Sequence, residues 1–540
     1  MFASLKNFSL RVVLPSVALI IVVNVIFSEH FESNPHKRIE EALASRNYAL
    51  AKTEYRKLIE ENFFNVENHR GYIRSHLSQS GRMNRPQRQD NQELVAEYRG
   101  YASSNASEMA DIGHYGLGYF YSLLNDYAQA DENFQHVRNR DLPYLNTSLG
   151  SLYRRMGLIN LAKVHLYREI QLRGNVAGAY ANLAELLYTT KQYDELSELA
   201  ARPEARNSIP HVIQRYLALR EGRYADYIRE ALAFRTVMAY GFLGALLIVS
   251  TWFVYLQKID VFEPERFLWS GGTLVGGMTF ACFALPLYDL FNFALGFRLN
   301  GTPLNDLIFF IFGVGLIEET LKIVPVLLFL RFSGAIDESV DYIIYGSLSA
   351  LGFAFMENLI PSYEWRVGAI STRAFGAVIL HMTLTSLVMY GLFYSRYRVK
   401  KNHVPYFVLA FGTAWVLHGV YDFLLINGWG ILGILILIYC IRQYGIIINC
   451  TLNLSEHNVD EAKRLVDLTQ YLCYSLAAIV MLQYVIIAMN YGPKSANLNF
   501  LGTVLVSYFL LYVVIANLRS FEIQKGQWLS LLRKKATSHG

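Results

Sequence analysis

Charged side chains are scarce in this 540-residue chain: Asp, Glu, Lys and Arg make up 17% of it, against ~25% in an ordinary soluble domain. Set beside 53% hydrophobic and 14% aromatic residues, that shortage argues against a wholly soluble protein. Proline is scarce as well, with 13 residues beside 37 glycines, so the chain is neither collagen-like nor a low-complexity tract. Its long apolar runs exclude disorder as the dominant state. The four cysteines, Cys282, Cys440, Cys450 and Cys473, lie in or beside apolar segments without metal-ligand spacing, which suggests neither a disulfide framework nor a cysteine zinc site. The net charge of +5 is small and its basic residues gather in short loops, so no nucleic-acid partner is expected.

What is present falls into segments. Residues 1–37 hold an apolar stretch, Val12 to Phe27, preceded by Lys6 and Arg11. No small-x-small cleavage pattern follows it, which reads as an uncleaved signal anchor. Residues 38–235 are polar, rich in Glu, Arg, Tyr and Ala at helical spacing. Within them Leu117-Gly118 with Tyr121, Tyr127, Ala130 and Phe134 recurs as Leu149-Gly150 with Tyr153, Gly157, Ala162 and Tyr167, and again as Leu183-Ala184 with Leu187, Tyr193 and Leu196. Small residues at this period, where paired helices must approach closely, resemble the tetratricopeptide repeat, whose solenoid holds a protein or peptide partner. Ala42 to Ala51 and Leu217 to Tyr227 read as degenerate copies, and His76 to Gln92 as a linker.

From 236 to 518 the apolar runs reach ~20 residues, long enough to cross a bilayer. Nine such runs, beginning near Thr236, Phe267, Leu307, Tyr342, Ala374, Tyr406, Gly430, Tyr471 and Phe500, make about ten spans with the anchor. If the amino terminus is cytoplasmic, seventeen Lys and Arg fall in the cytoplasmic tails and loops and four, Arg298, Arg366, Arg373 and Lys494, on the other side. That asymmetry places both termini, including the basic tail 519–540, in the cytoplasm and the repeats outside it. The fold expected is therefore all-α: a polytopic helical membrane protein with a TPR-like solenoid inserted after its first helix.

Ionisable groups inside a span are costly and mark functional sites by default. Here they cluster. The run from Leu307 holds Glu318, Glu319 and Lys322; that from Tyr342 holds Glu357, followed by Asn358; that from Ala374 holds His381; that from Tyr406 holds His418 and Asp422. Lys322 stands one turn from both glutamates and can neutralise either. Lying ~100° apart around the helix, the two glutamates are expected not to reach the same atom. Asp422, four residues after His418, is expected to orient the imidazole. By depth, most of these groups fall in the outer half of the membrane, on the side assigned to the repeats.

The set Glu318-Glu319-x-x-Lys322, Phe353-x-x-x-Glu357-Asn358, His381 and His418-x-x-x-Asp422, in order on four successive spans, resembles the PrsW family of intramembrane proteases, related to the CAAX prenyl proteases. The resemblance covers roughly 267–444. Where the prenyl-protease pattern ends its second motif in His, this chain has Glu357-Asn358, which points away from prenylated substrates. The resemblance implies glutamate-based hydrolysis of membrane-anchored proteins, anti-sigma-like regulators among them. The compact loops and the lack of a eukaryotic targeting pattern suit a bacterial cytoplasmic (inner) membrane, and the repeats, which lie outside the resemblance and would be periplasmic in such a cell, are expected to recruit or gate substrate. Glu318 would serve as general base, Glu319 and Lys322 as the charge balance of that helix face, His381 and His418 as water or oxyanion ligands, with Asp422 behind His418 and Glu357 and Asn358 completing the polar shell. No cofactor is expected; in the alternative, His381, His418 and Glu318 would hold zinc, although no H-E-x-x-H motif supports it. Two rival readings are a proton-coupled transporter or channel and a non-catalytic membrane scaffold. Neither inverted repeats nor paired Gly/Pro-broken helices favour the transporter.

Overall fold

A computed structural model describes residues 9–79, 89–231, 239–359, 370–400, 404–458 and 464–529. The chain divides into two compact units: Asn24–Leu232 with Tyr491–Ser495, and Met1–Val23 with Ala233–Asn490 and Ala496–Gly540. The first boundary falls inside the helix Leu14–Ser33 and not at residue 38, because this helix runs on past the apolar stretch and buries Phe31. Part of the linker expected at His76 to Gln92, the loop carrying Arg366 and the basic residues Arg533 to Lys535 lie outside the described residues.

In the unit 24–232 helices follow one another in pairs, for example Ser107–Leu123 with Tyr127–His136 and Leu145–Arg155 with Ile159–Leu172. Alternate helices also touch: Val66–Gln79 packs on Ser107–Leu123, that on Leu145–Arg155, and that on Val176–Thr189. The small residues read from the sequence stand where partners meet. A Cβ on Gly118 would lie 2.6 Å from the Phe134 ring, and one on Gly150 2.5 Å from Leu166. The turn within a pair recurs too: Arg46, Asn125, Gly157, Lys191 and Gly222 each take a left-handed backbone two residues before the second helix begins.

The second unit is built from α1 (Ala239–Ile259), α2 (Phe267–Ala281), α3 (Leu316–Phe332), α4 (Asp341–Leu359), α5 (Val378–Tyr394), α6 (Val404–Ile426), α7 (Gly430–Asn453), α8 (Thr469–Tyr491) and α9 (Pro493–Leu518). Among the described residues seven helices are long and apolar enough to cross a membrane; α3 and α4 are not among them, nor is α9. The reason for α3 and α4 is positional. Helix α4 packs against α1, α2, α3, α5 and α7 and is buried continuously from Asp341 to Phe355, so serines and tyrosines replace a lipid-facing surface. Helix α3 carries the charged triplet.

Close backbone approaches fix these helices. A Cβ on Gly277 would stand 2.0 Å from the Ser349 carbonyl oxygen, and one on Gly352 equally near that of Leu274, which locks α2 to α4. Of the other glycines of α2, Gly276 lies near Pro325 and Gly271 and Gly272 face open space. One departure from all-α is a two-stranded antiparallel ribbon, β1 (Arg464–Asp467) with β2 (Ser520–Ile523). It forms because Phe521 and Ile523 alternate with polar residues and bury one face, so the start of the basic tail is ordered here.

Candidate active site

Helix α3 does not begin cleanly. It is entered through a wider π-helical segment, Phe309–Gly315, of the kind often found beside functional sites. This segment lies on α6: a Cβ on Gly315 would stand 2.4 Å from the Trp415 carbonyl oxygen, and one on Gly419 2.4 Å from the Ile311 Cα. Two glycines therefore let backbone meet backbone and bring Glu318 and Glu319 up to His418. Helix α5 is likewise entered through a π-helical turn, Arg373–Ala377, which presents Arg373 and, about two turns on, His381.

The centre of the site is Lys322. It is fully buried and its Nζ meets Glu319 Oε1 at 2.9 Å, Glu318 Oε2 at 3.2 Å and His381 Nδ1 at 2.6 Å, above the Phe353 ring at 4.8 Å. An ammonium has three hydrogens, and three acceptors take them. Glu319 is the most saturated carboxylate: it accepts from Lys322, from His418 Nδ1 at 2.8 Å and from the Thr385 hydroxyl at 3.3 Å. Glu318 accepts from the Tyr288 hydroxyl at 2.6 Å and turns its other oxygen toward His418 Nε2, 3.6 Å away. Asp422 Oδ2 lies 3.4 Å from the same nitrogen.

A second layer forms around Glu357. Its Oε1 accepts from Arg373 Nη2 at 2.6 Å and its Oε2 lies 3.0 Å from His381 Nε2. Asn358 accepts from Arg373 Nε through Oδ1, while its buried Nδ2 has no hydrogen-bond partner among the described residues. The side chains of Glu357 and Asp422 are 34% and 27% exposed whereas Glu318, Glu319, Lys322 and both histidines are buried, so these two carboxylates mark the open mouth.

All eight residues singled out in the sequence thus lie in one connected cluster, and two details differ from expectation. Both glutamates do reach common atoms, Lys322 Nζ and the His418 ring, because flexible two-carbon stems swing back to a lysine one turn on. The carboxylate that holds His418 Nδ1 is Glu319; Asp422 faces Nε2 from the mouth. Sequence reasoning missed Tyr288, Arg373 and Thr385. Arg373 was read only as a loop charge, and a tyrosine or threonine in an apolar span carries no signal until its partner is known.

Glu318, His381 and His418 each bring one ligand atom within 4.8 Å of the others, close enough for a single metal ion. The hydrogen-bond pattern divides them. His418, with Nδ1–H donated to Glu319, presents Nε2 as a metal-binding histidine does. His381 accepts from Lys322 at Nδ1, which puts its proton on Nε2, and a protonated nitrogen is not a ligand. As arranged, the residues fit two of three ligands, and a metal centre needs the Lys322–His381 contact to open.

Residues 263–447 match the model of a family described as PrsW family intramembrane metalloprotease. Curated relatives are Protease PrsW of Bacillus subtilis, 31% identical over 111 residues (21% of this chain, 51% of the relative), that of Geobacillus kaustophilus, 31% over 120 residues (22% and 53%), and that of Clostridioides difficile, 32% over 146 residues (25% and 60%). The chain spans only about half to three fifths of the length of these relatives. No solved structure matches it. All eight residues of the cluster fall inside the matched segment, and over that segment the chain is related to the PrsW family of intramembrane proteases.

Proposed function

We propose that the protein is an intramembrane endopeptidase that hydrolyses peptide bonds of membrane-anchored proteins in a bacterial cytoplasmic membrane. The observation that carries this reading is the gap between Glu318 Oε2 and His418 Nε2, 3.6 Å wide and flanked by Asp422, at a buried site with a polar mouth. A water lying to one side of this pair, not between the two atoms, can hydrogen-bond to both. His418, with its proton held on Nδ1 by Glu319, offers Nε2 as an acceptor, and Glu318 takes the water's proton as it attacks the carbonyl carbon. The negative oxygen that develops then meets N–H donors: the Asn358 Nδ2 without a partner, with His381 Nε2–H and Arg373 alongside. One such donor contributes about 10²–10³ in rate. Glu318 returns the proton to the leaving nitrogen.

Four carboxylates, Glu318, Glu319, Glu357 and Asp422, surround two fixed cations, Lys322 and Arg373, so the site is built to hold extra positive charge. A mobile proton on Glu318 supplies it in this mechanism; a metal ion would supply it in the second reading, which the convergence of Glu318, His381 and His418 favours. The paired helices of 24–232 support a TPR-like solenoid that lies outside the cytoplasm and recruits a protein partner or substrate. The charge asymmetry of the loops supports about ten spans with both termini cytoplasmic.

The test is mass spectrometry of membrane-protein fragments from cells carrying the wild-type chain or Glu318→Gln at equal membrane levels. Fragments with new termini in or beside a span, present only with Glu318, are expected. Identical profiles under several envelope stresses would sink proteolysis. Repeating the cleavage with purified protein and a chelator separates the two chemistries: full activity without metal supports the glutamate reading, and loss restored by zinc supports the other.

A further inference from the structure

At the far end of α4 lies a second charged cluster that the proposed reaction does not use. Asp341 opens this helix and Glu357 closes it, 16 residues or about 24 Å apart at 1.5 Å per residue. Three loops meet there: the α1–α2 loop with Asp260, Glu263 and Glu265, the α3–α4 loop with Asp337 and Glu338, and the loop after α7 with Ser455 and His457. Six carboxyls are gathered, and among the described residues no lysine or arginine pairs with any of them; His457, 2.7 Å from Glu263, is the one basic partner.

The inner carboxylates share a pattern. Asp260 Oδ2 accepts the Glu265 N–H at 2.8 Å; Asp341 Oδ2 accepts the N–H groups of Asp337 and Glu338 at 3.0 and 2.8 Å; Glu338 Oε2 accepts from the Ser455 hydroxyl. In each case the second oxygen, Asp260 Oδ1, Asp341 Oδ1 and Glu338 Oε1, is buried and meets no donor group among the described residues, on side chains no more than 3% exposed. One oxygen of each carboxylate is thus fixed by an N–H or O–H group, and the carboxyls otherwise face one another, Asp260 beside Glu338 and Asp341 beside Glu265. Above them, Glu263, Asp337 and His457 are exposed and bring ligand atoms within 4.8 Å of one another. Buried carboxylates without a counter-charge are unfavourable, and they take up either protons or a cation. Oxygen donors at this density suit a hard divalent ion better than a soft one.

We propose that this loop cluster binds a hard divalent cation of the magnesium–manganese–calcium class, ligated at Glu263, Asp337 and His457, whose charge offsets that of the buried carboxyls Asp260, Glu338 and Asp341 on and beside the same loops. The ion ties together three loops that are far apart in the chain, and it is independent of any metal at the Glu318 site.

Binding of Mn2+ to the full chain in detergent, first stripped with chelator, tests this by electron paramagnetic resonance of the free ion. The chain carries His381→Ala and His418→Ala so that the other cluster cannot contribute. One saturable Mn2+ per chain is expected, displaced by Mg2+ or Ca2+ and weakened at least tenfold by Glu338→Gln or Asp337→Asn. Thermal unfolding guards against a variant that fails to fold. Relief of repulsion should make Glu338→Gln at least as stable as its parent in chelator, while Mn2+ raises the unfolding temperature of the parent only. No saturable binding, or binding and unfolding unchanged by both substitutions, would show that the carboxyls are simply protonated and would overturn the proposal.

Discussion

Lys322 has three hydrogens and three acceptors, and the asymmetry between its two glutamate partners decides which can react. Glu319 is committed to Lys322, His418 and Thr385, whereas Glu318 keeps an oxygen facing the gap beside His418. Glu319→Gln should therefore act mainly on stability. It removes the charge that balances a buried lysine, a change that costs about 3–5 kcal/mol when one partner of a buried pair is lost. Glu318→Gln should abolish cleavage with little loss of folding. Thermal unfolding in detergent, followed beside cleavage, checks this; equal destabilisation by both would remove the distinction. The motif residues were legible in the sequence because a charge in an apolar run is conspicuous. Tyr288 and Thr385 were not, since a hydroxyl in such a run is ordinary until a carboxylate stands 2.6 Å from it.

Among the elements, the π-helical entry to α3 and its contact with α6 position Glu318 against His418. Replacing Gly419 with Val would push a side chain into the Ile311 backbone, 2.4 Å from an added Cβ, whereas Gly412, on the same helix, faces open space. Gly419→Val should lower cleavage by about 10² or more, as displacements near 1 Å at a reacting centre do, and Gly412→Ala should leave it unchanged. Cleavage rates at matched membrane levels measure both, and an active Gly419→Val would show that the close approach is dispensable. Helix α4 illustrates the opposite limit of reading. Its apolar run is plain in the sequence, but only its five neighbours reveal that it is sheathed in protein. That placement explains why it need not be apolar enough to face lipid.

At the scale of the whole molecule, the unit 24–232 carries a pH dependence of definite sign. Burial pushes His69 and His165 below the ordinary imidazole value of 6.5. His69 meets the Tyr98 hydroxyl at Nδ1 and donates from Nε2 to the Phe63 carbonyl; that carbonyl favours the charged ring, and burial outweighs it. The folded pKa is depressed, so the unfolded chain takes up protons first. The stabilisation is complete above about 6.5 and is lost as pH falls through the folded values. Hydrogen exchange on the full chain, corrected for intrinsic rates, should show helices Val66–Gln79 and Ile159–Leu172 less protected at pH 5 than at pH 7. Equal protection would rule out these histidines as the acid-sensitive groups.

The sequence by itself determined the helical class, the contrast between a polar segment and an apolar one, and the identity of the eight clustered side chains. Periodicity and charge scarcity are local properties, written into each ~20-residue window. Only the tertiary structure decided that Glu319 and not Asp422 holds His418 Nδ1, that Arg373 joins Glu357 and Asn358, and that Glu263, Asp337 and His457 meet from three separate loops. A contact between residues 59 or 99 positions apart depends on how backbones pack, and here that packing turns on glycines whose partners no single segment reveals.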